Sequence, residues 1–183
     1  MHMVELGEGF SYGCLRKLMS QDCAGMLEWM HDEKIAGVFA QDFQSMSKSD
    51  AAHFIEHAYD DLTSLHFAIA DIDDEYMGTV SLKNIDPRNR NAEYAISTRQ
   101  RVHGTGLAKM ATLDVLRYAF EVMGLHKVYL NVKETNERAI AFYRKIGFEE
   151  EGRFRQHVCE DEHYVDLLWF GMTRYQYQCI STG

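Results

Sequence analysis

The sequence predicts an α/β fold, one mixed sheet flanked by helices in a single domain spanning residues 1–183. Three observations carry this. Runs of alternating, β-branched or aromatic residues are interleaved with runs of helical period. A glycine turn, Arg101-Val102-His103-Gly104-Thr105-Gly106, joins a strand-like run to a helix-like run. No composition shift or low-complexity tract marks a second domain, and one proline in 183 residues argues against a long linker.

The elements follow in order. Phe10 to Leu18 is a short mixed run that reads as a first strand. Gln21 to Ile35 carries Met26, Leu27, Trp29, Met30 and Ile35 near helical spacing, with Gln21 or Asp22 near its start. Ser47 to Leu62 reads as a helix with Ala51, Phe54, Ile55, Ala58 and Leu62 on one face and Ser47 or Ser49 as N-cap. Leu65 to Ile72 and Tyr76 to Leu82 read as strands joined by Asp73-Asp74-Glu75. Asn91 to Thr98 is the next strand, followed by the glycine turn and a helix over Leu107 to Met123. His126 to Val132 is a further strand. Glu137 to Ile146 is a short helix with Thr135 or Asn136 at its cap and Gly147 ending it. Gly152 to Cys159 and His163 to Met172 form a closing hairpin across Glu160-Asp161-Glu162. Met1-His2-Met3 reads in part as an expression remnant.

Composition bounds the function. The 46% hydrophobic and 26% charged residues are ordinary for a soluble globular chain. No apolar run approaches the ~20 residues needed to span a bilayer. No basic, apolar leader is evident, so a cytoplasmic location is expected and membrane association is not. Cys14, Cys23, Cys159 and Cys179 lack metal or redox spacing and read as free thiols. A net charge of −9 makes nucleic acid a poor partner and favours a cationic acceptor through long-range steering.

The glycine turn is the first chemical signal. Amides left free at a helix N-terminus, with the helix dipole, make an anion site. Gly104 and Gly106 have no Cβ, so a phosphate can approach the backbone. The spacing is neither that of a dinucleotide fingerprint nor that of a P-loop. A second signal stands downstream: Asn136-Glu137-Arg138-Ala139-Ile140-Ala141-Phe142-Tyr143-Arg144-Lys145-Ile146-Gly147-Phe148.

Together, Arg-x-x-Gly-x-Gly opening a helix and Asn-x-x-Ala-x-x-Phe-Tyr-x-x-x-Gly-Phe resemble the GCN5-related N-acetyltransferases. The similarity runs from about Gly78 to Met172. It takes in Asn91-Ala92-Glu93 and Leu125-His126-Lys127-Val128-Tyr129-Leu130-Asn131-Val132. Within that family it is most similar to the branch of ribosomal-protein N-terminal and nucleotide-linked amino-sugar acetyltransferases. The resemblance implies a mostly antiparallel sheet whose fourth and fifth strands, Asn91 to Thr98 and His126 to Val132, splay apart to admit pantetheine. It implies acetyl-CoA as cosubstrate, no metal, and a primary amine as acceptor. The expected acceptor is a small molecule such as a nucleotide-linked amino sugar; the alternatives are a protein N-terminus or a sensor that binds acyl-CoA without turnover. The oligomeric state stays open between monomer and homodimer.

The same resemblance assigns the site. Amides of Val102, His103, Gly104, Thr105, Gly106, Leu107 and Ala108 cradle the pyrophosphate, with charge from Arg101 and Lys109. A backbone N–H near Ile96 serves the oxyanion. Asn131 and Asn136 face the coenzyme; Asn136 also reads as an N-cap. Tyr143 stands beside the sulfur as the acid, against a plain core aromatic. Glu93 is the candidate base, balanced against a solvated strand residue, with Glu134 as the other carboxylate. Acceptor contacts are expected from the first helices and the closing hairpin; Trp29, His31, Asp32 and the Phe39 to Phe43 loop are named as wall, and Arg155, His157 and Tyr164 are assigned no role.

His53-Phe54-Ile55-Glu56-His57 fits a zinc metallopeptidase signature. At 3.6 residues per turn its histidines project from the side opposite the apolar stripe, where a catalytic zinc has no cleft. An exposed histidine pair is the better reading.

Overall fold

A computed structural model describes residues 10–37, 39, 42–60, 62–160 and 162–181. Met1 to Met3, Ala40, Gln41 and Asp161 therefore lie outside the described residues. The described residues form an eight-stranded sheet in the order β1-β2-β3-β4-β5-β6-β8-β7. The strands are β1 (Ser11–Tyr12), β2 (Leu15–Arg16), β3 (Leu65–Ala70), β4 (Tyr76–Asp86), β5 (Asn91–Thr98), β6 (Lys127–Lys133), β7 (Glu149–Glu160) and β8 (His163–Thr173). The helices are α1 (Cys23–Met30), α2 (Glu33–Ala36), α3 (Lys48–His57), α4 (Leu107–Arg117), α5 (Glu137–Ile146) and α6 (Arg174–Ser181).

Among the described residues, six of the seven strand pairings are antiparallel, and β5 and β6 alone run parallel. Their ladder holds only Asn91↔Lys127, Ala92↔Val128 and Glu93↔Tyr129. Past that point β5 stays paired with β4 as far as Thr98↔Gly78, while β6 follows β8 as far as Lys133↔Leu167. The sheet forks there. The inferred first strand is two short ones, so the fork falls between the fifth and sixth strands in chain order.

Several boundaries differ from the sequence reading, each for a local reason. Gly13, at φ +63°, turns the first run between β1 and β2; a Cβ there would stand 2.0 Å from Asp114 Oδ2, and the Cys14 N–H donates to that oxygen at 2.9 Å. The helix expected over Gln21 to Ile35 breaks at His31–Asp32, where the Asp32 carboxylate accepts from the Lys34 N–H at 3.0 Å and starts α2. The helix expected over Ser47 to Leu62 keeps its N-cap. Ser47 Oγ accepts from the Asp50 N–H at 3.2 Å, and Asp50 Oδ2 accepts from the Ser47 N–H at 2.8 Å. It ends at His57, leaving Leu62 63% exposed rather than on the apolar face. Helix α4 runs into a wider π turn over Tyr118–Val122. A last helix, α6, was not expected; Arg174 ties its start by donating to the carbonyls of Leu125 and Phe120 at 2.9 and 2.5 Å.

Two apolar clusters hold the sheet. One lies under α4 and α5, centred on Tyr94, Val115, Leu116, Phe120, Leu130, Tyr143 and Phe170. The other sits between α1, α3 and the β3–β4 side, built from Met26, Trp29, Met30, Ala51, Ile55, Ala68 and Tyr76. Each fully buried Leu, Phe or Met in them contributes about 1.5–3 kcal/mol. Trp29, named above as pocket wall, is a core residue; its Nε1–H donates to the Tyr76 hydroxyl at 3.0 Å.

Candidate active site

The fork opens a cavity of about 530 Å³. Its floor comes from Ile96, Ser97 and Thr98 on β5 and from Asn131, Val132 and Lys133 on β6. Gly104, Gly106, Ala108 and Lys109 line one wall, and Asn136, Arg138, Ala139, Phe142, Tyr143, Lys145 and Ile146 line another. Lys34, Ile35 and Phe39 close it from the α2 side, with Leu167 of β8. Because β5 and β6 have parted, alternate backbone groups on their facing edges lack a sheet partner and open into the gap. Ile96 lies on that unpaired stretch.

The glycine turn supplies fewer free donors than its spacing suggests. The amides of Val102, His103 and Thr105 donate back to the carbonyls of Arg99, Gln100 and Val102 at 3.0, 3.0 and 3.2 Å. The Leu107 N–H donates to Thr105 Oγ1 at 3.2 Å. Among the described residues, the amides of Gly104, Gly106, Ala108 and Lys109 have no protein acceptor. Gly104 and Gly106 adopt φ +82° and +88°, and a Cβ on either would meet nothing within 4 Å. Packing therefore does not demand glycine at these positions. Left-handed backbone favours it, and the open space beyond leaves room for a group to approach the free amides.

The charged residues sort sharply. Five cations line the cavity (Lys34, Lys109, Lys133, Arg138 and Lys145), and no Asp or Glu does among the described residues. Arg101, expected beside the phosphates, is instead held by Glu75, which also binds Arg99 at 2.7 Å. It does not line the cavity. His103 does. Its Nδ1 lies 2.7 Å from Arg138 Nη1, and since Arg only donates, the imidazole is neutral with its proton on Nε2. Burial, reinforced by the Arg138 charge, lowers the His103 pKa below its ordinary value and favours that state. Nε2–H remains a donor.

Tyr143 is 8% exposed and lines the cavity. Its ring meets Tyr94 edge-on at 6.1 Å, and Tyr94 in turn bonds Thr112 of α4 at 2.8 Å. Helix α5 is thereby locked against α4. Among the described residues the Tyr143 hydroxyl has no hydrogen-bond partner, and burial pushes its pKa up to about 12, so it stays protonated at neutral pH. Asn136 serves as the α5 N-cap, its Oδ1 accepting from the Ala139 N–H at 3.1 Å, and also lines the cavity.

The two candidate bases are set back. Glu93 is paired with Lys83 at 3.1 Å and accepts from Asn84 Nδ2 at 2.9 Å. It reaches the cavity only through Asn131, whose Nδ2 donates to it at 3.4 Å. Glu134 accepts from the Asp166 N–H at 3.0 Å and pairs with Arg153 at 3.3 Å, which commits it to the closing hairpin. His53 and His57 are exposed, their rings 4.1 Å apart on one face of α3; among the described residues no group of three His, Cys, Asp or Glu is placed to hold a metal.

Residues 14–149 match the family described as the acetyltransferase (GNAT) domain. The chain belongs to the GNAT acetyltransferases. The matched stretch starts earlier than the motif-bearing region recognised from sequence and covers the whole fork. Among curated GNAT proteins, the chain is 34% identical to spermidine N(1)-acetyltransferase of Escherichia coli K12 over 109 residues, 60% of this chain and 59% of that protein. It is 28% identical to the Vibrio cholerae enzyme of the same name over 129 residues, 70% of this chain and 73% of that one. The first of these matches thus spans less than two thirds of the relative's length. Among solved GNAT structures, Vibrio cholerae spermidine N-acetyltransferase in complex with CoA and spermine superposes with a TM-score of 0.81 at 25% identity, over 90% of this chain and 96% of that one.

Proposed function

We propose that this chain is an acetyl-CoA-dependent N-acetyltransferase acting on the primary amine of a small molecule. The observation that carries the reading is the fork itself: a parted strand pair, a cradle of free amides on one wall and a protonated buried phenol on the other. The residues present fit coenzyme A. The amides of Gly104, Gly106, Ala108 and Lys109, with Lys109, Arg138 and His103 Nε2–H, suit its phosphates, and the Ile96 to Thr98 edge suits the amide groups of pantetheine. Bound there, acetyl-CoA supplies the thioester.

The chain's own residues then have four tasks. The cradle and the fork hold the thioester beside the amine. An N–H near Ile96 donates to the oxygen that gains charge during attack. Tyr143 donates its proton to the departing thiolate. Glu93, paired with Lys83 and linked to the cavity by Asn131, accepts the ammonium proton through water.

The notion of a nucleotide-linked amino sugar as acceptor rests on the sequence resemblance, and the relatives' names make spermidine the second acceptor class to assay. A thiol-release assay with acetyl-CoA over amino sugars, amino acids, polyamines and N-terminal peptides tests the reading. Tyr143→Phe should lower kcat by about 100-fold while leaving coenzyme affinity within about threefold. Equal losses in both would make Tyr143 a packing residue, and coenzyme binding without any turnover would favour a sensor.

A further inference from the structure

The cations of the cavity lie on two opposite sides. Lys109 stands on α4, and Arg138 and Lys145 stand on α5. These helices cover the face of the sheet that carries Tyr94, and they also present the amide cradle. Lys133 belongs to the other face. It shares a face of β6 with Asn131 and Tyr129, and Tyr129 is in register with Glu93, next to Tyr94 on β5. Its ammonium donates to the Gly37 carbonyl after α2 at 3.2 Å and to Glu160 Oε1 at the end of β7 at 2.7 Å. With only 5% of its surface exposed, it is a buried charge at the meeting point of β6, α2 and the closing hairpin. Two of its three N–H groups are used, which leaves one donor on a residue that lines the cavity. Lys34 of α2 adds a second, exposed cation on the same side.

Resting on the acetyltransferase reading above, the geometry points to an acceptor that carries an anionic group, a phosphate or a carboxylate, beside its amine. Coenzyme phosphates account for the cations of α4 and α5. They do not account for Lys133 and Lys34, which face the cavity from the side opposite the cradle. A polyamine would meet the exposed Lys34 ammonium there, and the carboxylate beside Lys133, Glu160, is already engaged by it at 2.7 Å. Glu93, on the same face, is likewise paired, with Lys83 at 3.1 Å. An anionic substituent would instead gain charge-assisted hydrogen bonds from the Lys133 spare N–H and from Lys34. This distribution runs against the cationic acceptor that the net charge alone favours.

The test is calorimetric titration of the protein saturated with CoA, so that the phosphate cradle is already filled. Glucosamine 6-phosphate is compared with glucosamine, alanine with alaninamide, and spermidine is run alongside. At least one anion-bearing amine should bind about tenfold more tightly than its uncharged counterpart and than spermidine; the pair that shows it tells phosphate from carboxylate. Lys34→Glu, an exposed change, and Lys133→Met should each reduce that preference by about fivefold or more while CoA affinity is retained. Spermidine binding more tightly than both anion-bearing amines, or neither pair showing a preference, would overturn the inference. Failure of the unmodified protein to bind CoA would instead remove the acetyltransferase reading beneath it.

Discussion

At the scale of single residues, the two glycines of the turn separate folding from binding. Gly13 and Gly78 are glycine because a Cβ would collide with Asp114 at 2.0 Å or with the Ser97 carbonyl at 2.4 Å. Gly104 and Gly106 face open space. Replacing Gly104 with Leu should therefore cost the fold only the left-handed backbone strain, about 1–2 kcal/mol in a denaturant titration. The same side chain would stand in the path of the coenzyme phosphates and weaken CoA binding by about 100-fold. Unchanged affinity would withdraw the phosphate assignment, and complete unfolding would show that the turn matters to packing after all. That Tyr143, Asn136 and the glycines would share one cavity was legible in the sequence because a local motif carries each of them. Arg101 and Glu93 were legible as charges but not in their engagements. Their partners, Glu75 and Lys83, are brought to them by the β4–β5 pairing, and one-dimensional spacing does not show which charge a strand neighbour will neutralise.

At the scale of elements, the entry into α1 hangs on one buried ion pair. Arg16 of β2 donates to both Asp22 oxygens at 2.8 and 2.9 Å, and Asp22 also accepts from the Met19 N–H at 2.8 Å. Asp22 is 2% exposed. Asp22→Ala strands a buried guanidinium and should cost about 3–5 kcal/mol of stability by urea denaturation. Asp74→Ala, which removes the exposed partner of Arg16, should cost no more than about 1 kcal/mol. Similar losses at both positions would mean that the pair is solvated and that the β2–α1 corner is held by apolar packing alone. The sequence showed Asp22 only as a helix start, since a partner six residues away in a separate strand leaves no periodic trace. Most other elements did leave one. The alternation of β3 to β6 and the cap of α3 were readable because each is decided within about ten residues. The break between α1 and α2 and the end of α3 at His57 were not, since Ile35, Ala36 and Ala58 stay buried past these points and the apolar pattern runs on while the helix stops. Helix α6 was hidden for a related reason: Arg174 anchors it to carbonyls of Leu125 and Phe120, some fifty residues earlier in the chain.

For the molecule as a whole, the charge is divided in a way that binding kinetics can read. The chain carries 28 acidic and 19 basic residues, yet its fork is lined by five cations and no described carboxylate. A polyanionic coenzyme approaching from bulk solvent meets the field of the whole protein first, which is net repulsive at −9. At the cavity wall it meets the five cations. Salt acts on these two fields over different distances. At an ionic strength of about 0.1 M the Debye length is about 10 Å, so the distant repulsion is screened before the contacts are. Raising NaCl from about 20 to 500 mM should thus leave the association rate of CoA within about threefold, or raise it, while the dissociation rate climbs as the phosphate contacts weaken. Stopped-flow mixing, with CoA displacing a fluorescent analogue, measures both. An association rate that fell steeply with salt would show the cavity's own field reaching past the acidic surface and steering the coenzyme in. That outcome would also predict that Lys109→Ala slows capture, whereas with the charge divided in this way it should act almost entirely on release.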